Sequence, residues 1–319
     1  MKTLRKQFEL SDMGLIFFHV LAIVGLSIVA RGFAEYEAQM LQSGVLVLLV
    51  VLTALKLGPW NYKLGMLARV ALTSISCPLL YERAHLAVKA IWGQPKLEHY
   101  VVATDKMLFG GNASEFLQAF HHPLLTEYLQ FSYMTYFILP LVLGLFLMAS
   151  RKWHKLPTIM LAVVLTSSLV SLGYVLIPLR SPFLVAQESP HLMSYDFELY
   201  GLWATDSLRQ WLLDSTQMRH DCFPSGHTAL STTTLGMAYL LHRRAFWVLL
   251  PLVLSIVFST LYLRYHYLID VAAGLGLTAI MVWAVPLLER GWQRVRVLDA
   301  QASQVGAREV LASSSARSR

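Results

Sequence analysis

The sequence predicts an all-α protein that crosses a membrane about eight times. Of its 319 residues, 56% are hydrophobic and only 14% are charged. Apolar stretches close to the roughly 20 residues needed to cross a bilayer recur along the chain, and lysines and arginines gather in the short connections between them. A mean hydropathy of +0.53 lies well above that of soluble domains.

The predicted spans are residues 13–30, 43–57, 65–91, 128–149, 156–179, 225–241, 246–263 and 267–288. The polar start and the long apolar run after it do not fit a cleaved signal peptide, so the first span is expected to be retained. The third carries Pro78, Glu82, Arg83, His85 and Lys89, so its second half is expected either to leave the bilayer or to face a polar interior. With eight crossings, five basic clusters fall on one side. They are Lys2, Arg5 and Lys6; Lys56 and Lys63; Arg151, Lys152 and Lys155; Arg243 and Arg244; and Arg290, Arg294 and Arg296. That side is expected to be cytoplasmic and to hold both termini.

The long connection 183–223 then faces outward with six acids, Glu188, Asp196, Glu198, Asp206, Asp214 and Asp221, against Arg209 and Arg219. Residues 96–122 read as an interfacial helix broken at Gly110-Gly111. Residues 205–216 read as a helix capped at Thr205 with an apolar face of Leu208, Trp211 and Leu212, packed on the outer surface or lying over a site as a lid. The Ser/Ala/Arg-rich segment 301–319 reads as a disordered tail. Three regions follow: 1–123 with the first spans and the interfacial segment, 124–288 as a helical bundle, and 289–319 as a basic cytoplasmic tail. The net charge of +7 is spread over loops between spans, which suits anionic lipid headgroups and not nucleic acid. Two cysteines, Cys77 and Cys222, make neither a disulfide framework nor a metal site, and no cofactor is expected. Oligomeric state leaves no trace.

Chemistry concentrates between Phe223 and Asp270. Pro224-Ser225-Gly226 precedes His227, and the polar pair Arg264-Tyr265 precedes His266, so each histidine is expected in the first turn of a helix, where unpaired N–H groups and the dipole favour an anion. Asp270, four residues after His266, would share its helical face and orient the imidazole. Two facing histidines with arginines nearby suit attack on a phosphate ester: one imidazole as nucleophile, one as acid, cations on the oxygens. The guanidinium of Arg180, at the end of the fifth span, suits phosphate oxygens, as do Ser225 and the backbone N–H groups of Gly226 and His227. Arg264 either contributes a further cation or snorkels to the interface. His121, His122, His154, His191 and His242 read as interfacial or helix-bonding residues.

Arg180-Ser181-Pro182, Pro224-Ser225-Gly226-His227 and His266-x-x-x-Asp270 together resemble the signature motifs of the type 2 phosphatidic acid phosphatase superfamily, over about residues 124–288. A fainter likeness reaches back to Asp105-Lys106-Met107-Leu108-Phe109-Gly110. The resemblance implies that the last five or so spans form that family's bundle. It also implies that His266 becomes phosphorylated, His227 protonates the leaving oxygen and Asp270 fixes the tautomer of His266. Two of the family's cations are absent here: its lysine falls at Gly173, and the arginine of its third motif at Thr260. In lacking them the chain also resembles the branch of inositol phosphorylceramide and sphingomyelin synthases. The expected function is a metal-independent lipid phosphatase acting on a membrane phospholipid or isoprenoid phosphate or diphosphate. The alternatives are a lipid phosphotransferase with an alcohol acceptor and an inactive scaffold. A haloperoxidase is disfavoured because those relatives are soluble.

Overall fold

Apolar sequence in this chain becomes helix because a backbone in lipid must satisfy its own hydrogen bonds. The computed structural model describes residues 7–93, 96–216 and 220–317, and every regular element among them is helical. Lys2, Arg5, Lys6 and Arg219 lie outside the described residues. In chain order the helices are α1 (Leu10–Val29), α2 (Tyr36–Trp60), α3 (Tyr62–Trp92), α4 (Glu98–Phe109), α5 (Ala113–Leu117) and α6 (Pro123–Ala149). They continue with α7 (Leu156–Leu176), α8 (Pro182–Glu188), α9 (Thr205–Thr216), α10 (Gly226–Leu241), α11 (Arg243–Tyr262) and α12 (Leu268–Arg317).

Seven of these, α1, α2, α3, α6, α7, α11 and α12, are long and apolar enough to cross a membrane, and the protein is multi-pass. The remaining predicted span forms as α10, but its 16 residues rise only about 24 Å. Pro224 and the cap at Ser225 set its start, and a turn at His242 ends it before Arg243. The segment expected to be a disordered tail instead continues α12 in helical geometry to Arg317, because Ala, Gln, Arg, Glu and Leu at 300–311 are strong helix formers.

The core is built around α7 and α10. Leu156, Ile159, Met160 and Val163 of α7 meet Leu230 and Met237 of α10. Around them lie Leu139, Leu143 and Leu147 of α6, Leu249, Val253 and Ile256 of α11, and Met281 and Val285 of α12. The first three helices pack on the other side of α7, where Leu15, Leu46, Val50 and Leu72 surround Val164. α3 keeps its polar half inside the bundle. Arg83 donates to Ser43 Oγ (2.9 Å), Gln39 O (2.8 Å) and Gln42 Oε1 (3.0 Å), while Arg69 Nε pairs with Asp12 at 2.9 Å. Each charge is thus partnered where water is scarce.

Two carboxylates tie the outer elements to the bundle. Glu127 of α6 accepts backbone N–H bonds from Leu202 (2.9 Å), Ala204 (2.8 Å) and Thr205 (3.2 Å), and the Thr205 hydroxyl at 2.7 Å. A buried anion therefore sits at the positive end of α9, and the cap comes from Glu127 where the sequence points to Thr205. Asp105 of α4 does the same for α12, taking the N–H groups of Leu268 (2.9 Å) and Ile269 (3.0 Å). Burial raises the Asp105 pKa above the usual carboxylate range, with those two bonds opposing it. The predicted break in the 96–122 segment is present: Gly110 closes α4 in the left-handed conformation, φ 79°.

Candidate active site

The turns that open α10 and α12 are stitched together. Ser225 caps α10, its Oγ accepting from Thr228 N at 3.3 Å, while its own N–H donates to the Asp270 carbonyl at 3.0 Å. At the end of α11 the Thr260 carbonyl accepts the N–H groups of both Tyr265 and His266, each at 3.0 Å. The result sets His227, second residue of α10, opposite His266, with ring centroids 5.9 Å apart at 56°. His266 does not lie within the helix as predicted; it stands two residues before α12 begins.

Hydrogen bonding decides which nitrogen of His266 is free. Its Nδ1 lies 3.1 Å from the Cys222 carbonyl, which can only accept, so Nδ1 carries the proton and Nε2 the lone pair. Asp270 Oδ2 is 3.5 Å from the same Nδ1, and its shorter bond, 2.9 Å, is from Tyr267 N–H. The carboxylate therefore supplies charge beside the ring more than it sets the tautomer. Asp270→Asn is accordingly expected to lower turnover by about 10²-fold, at the mild end for acid–base machinery, while still forming a phosphorylated enzyme. Single-turnover kinetics with trapping of labelled protein checks this.

His227 is gripped by two tyrosines of α6: Tyr133 stacks on it at 3.8 Å and 17°, and Tyr136 lies 3.9 Å away. Sequence reading missed both. The available signal was the run of polar groups from Thr126 to Tyr136 inside an apolar span. Between the histidines opens a cavity of about 350 Å³, lined also by Tyr81, Glu82, Tyr174, Trp211, Leu212 and Asp221. Trp211 and Leu212 make α9 a cover of this cavity.

The predicted residues do not all converge there. His227, His266 and Gly226 line the cavity, and Asp270 and Ser225 support it from behind. Arg180 does not line it. Its Nε pairs with Glu98 at 2.9 Å and its Nη1 with Glu188, and although burial opposes this, the two carboxylates raise its pKa. Arg264 also points elsewhere: its backbone is left-handed, φ 67°, and its guanidinium lies 3.7 Å over the Tyr195 ring.

Cys222 Sγ, a His266 ring nitrogen and an Asp270 oxygen lie within 4.8 Å of one another, a spacing open to metal ligation. The set does not suit a cation. Cys222 Sγ–H donates to the Tyr265 carbonyl at 3.2 Å, and burial pushes the thiol well above its usual pKa, so it is held as a neutral thiol.

A profile of the PAP2 superfamily matches residues 99–284. The chain belongs to the PAP2 superfamily. No curated protein and no solved structure matches it in the same comparisons. As a PAP2 protein it is a membrane enzyme of the lipid phosphatase and phosphotransferase type. The matched region begins at α4, so the helix carrying Asp105 belongs to it. The two departures from the PAP2 motifs have visible causes in packing. Gly173, where the family lysine falls, faces the Pro224 ring so closely that any side chain would collide with it. Thr260, where the arginine falls, is fully buried and turns its Oγ1 to the Val257 carbonyl at 2.7 Å.

Proposed function

We propose that the protein hydrolyses a lipid phosphate monoester or diphosphate through a phosphohistidine. Nε2 of His266 attacks the terminal phosphorus, and the bond from that phosphorus to the leaving oxygen, the lipid oxygen of a monoester or the bridging oxygen of a diphosphate, breaks as His227 gives that oxygen a proton. His227 then takes a proton from water, whose oxygen displaces Nε2 and releases inorganic phosphate. Asp270 balances the cationic ring while the phosphorus–nitrogen bond exists. The observation that carries this reading is the Nδ1–H to Cys222 carbonyl bond, which leaves the Nε2 lone pair free on a ring whose centroid is 5.9 Å from that of His227.

The substrate is a membrane phospholipid or isoprenoid phosphate. It enters from the outer leaflet, because the acidic connection over the site faces away from the basic cytoplasmic loops. A second reading replaces water by an alcohol. It is favoured by the cavity of about 350 Å³, which has room for an acceptor larger than water beside a phosphoryl group.

Incubating the purified protein in detergent with labelled short-chain lipid phosphates tests both. Acid-labile label on the protein with release of inorganic phosphate is expected. Headgroup transfer to added inositol or ceramide without phosphate release would move the conclusion to the second reading. Absence of label, release and transfer across the panel would leave neither standing.

A further inference from the structure

Two arginines outside the histidine cavity carry donors that the fold does not use. Arg209, on α9, and Arg264, in the turn before His266, are 6% and 2% exposed. Each gives its Nη1 to a carbonyl of the same outer segment: Arg209 to Leu199 at 3.3 Å, Arg264 to Phe197 at 2.8 Å. In both, Nε and Nη2 have no hydrogen-bond partner. Those two nitrogens form one edge of a guanidinium, the fork that grips a phosphate or carboxylate with two parallel bonds.

The two arginines are held by one segment, at Leu199 and Phe197, and Arg209 lies over the ring of Tyr265, the residue that follows Arg264. Burial, with the nearby Arg209 charge as a smaller contribution, pushes the Arg264 pKa down to about 10. Aromatic faces offer partial compensation: Tyr195 for Arg264, and Phe183 at 5.1 Å and Tyr265 at 5.9 Å for Arg209. Ring faces leave the in-plane N–H groups unanswered. Buried charge with unmet donors is expensive, and an oxyanion accepting from these N–H groups removes that cost.

We propose that Arg209 and Arg264 form an oxyanion site for a phosphate-type group in the outer cap, separate from the cavity of His227 and His266. Tyr265 joins the two places, since its ring lines the cavity and also lies beneath Arg209. The same tetrahedral oxyanion could be supplied by a lipid phosphate headgroup or by free phosphate. The site does not depend on the histidine chemistry.

Thermal unfolding of the full chain in detergent, with inorganic phosphate or with short-chain phosphatidic acid against phosphatidylcholine, tests the assignment. An oxyanion-dependent rise in Tm is expected in wild type and in His266→Gln. It should vanish in Arg209→Gln and need roughly tenfold more ligand in Arg209→Lys, which keeps the charge but not the fork. A rise with phosphate alone identifies free phosphate as sufficient, and a rise only with phosphatidic acid identifies the headgroup; either supports the site. Without ligand, Arg209→Gln should be at least as stable as wild type, because an unneutralised buried charge has gone. The assignment is overturned by no rise with either probe, by a rise undiminished in Arg209→Gln, by its loss in His266→Gln, or by an Arg209→Gln protein that is less stable without ligand.

Discussion

His266→Ala is expected to abolish release of phosphate from every lipid phosphate, a loss on the order of 10⁴ to 10⁶-fold, together with all acid-labile label. The size follows from what the ring contributes. It is 4% exposed, its Nδ1–H is held by the Cys222 carbonyl, and in the proposed reaction its Nε2 is the nucleophilic nitrogen. In the proposed reaction this ring accepts the phosphoryl unit, so truncation removes the covalent route itself. His266→Gln, which refills most of the volume, should be equally inactive, and an unfolding temperature near wild type for that variant separates lost chemistry from lost fold. Label persisting on either protein would move the nucleophile to another residue.

Removal of the second ring, in His227→Ala, is expected to cost about 10² to 10⁴-fold with alkyl phosphates. The phosphohistidine should still form, more slowly and in smaller amount. An alkoxide is a poor leaving group and needs a proton as it departs, whereas a nitrophenolate does not. Turnover of a nitrophenyl phosphate should therefore fall far less than that of a lipid phosphate. An equal fall with both esters would mean that the ring, packed between Tyr133 and Tyr136, only props the cavity open.

The spans were legible because apolar stretches of bilayer length need no knowledge of partners. α10 was placed correctly to within a residue, since its limits are written locally in Pro224-Ser225 and His242. The facing histidines were legible for the same reason: each is marked by its own neighbours. What escaped depends on residues far apart in sequence. Glu127 reaches 75 to 78 positions along the chain to α9, and Asp105 reaches 163 and 164 positions to α12. Arg180 reads as a phosphate ligand until Glu98, 82 positions away, is seen to hold it. Arg264 lies two residues from His266, but its left-handed backbone sends the side chain towards Tyr195, a direction no spacing rule supplies.

The oxygen that positions the reactive imidazole belongs to the main chain at residue 222, not to a side group. No point substitution there can delete it, and Cys222→Ala or Cys222→Ser would leave the peptide oxygen in place. Mutational scanning, which sees only what side groups contribute, would pass over this contact; exchanging the amide for an ester at the 222–223 linkage, which weakens that oxygen as an acceptor, would reveal it.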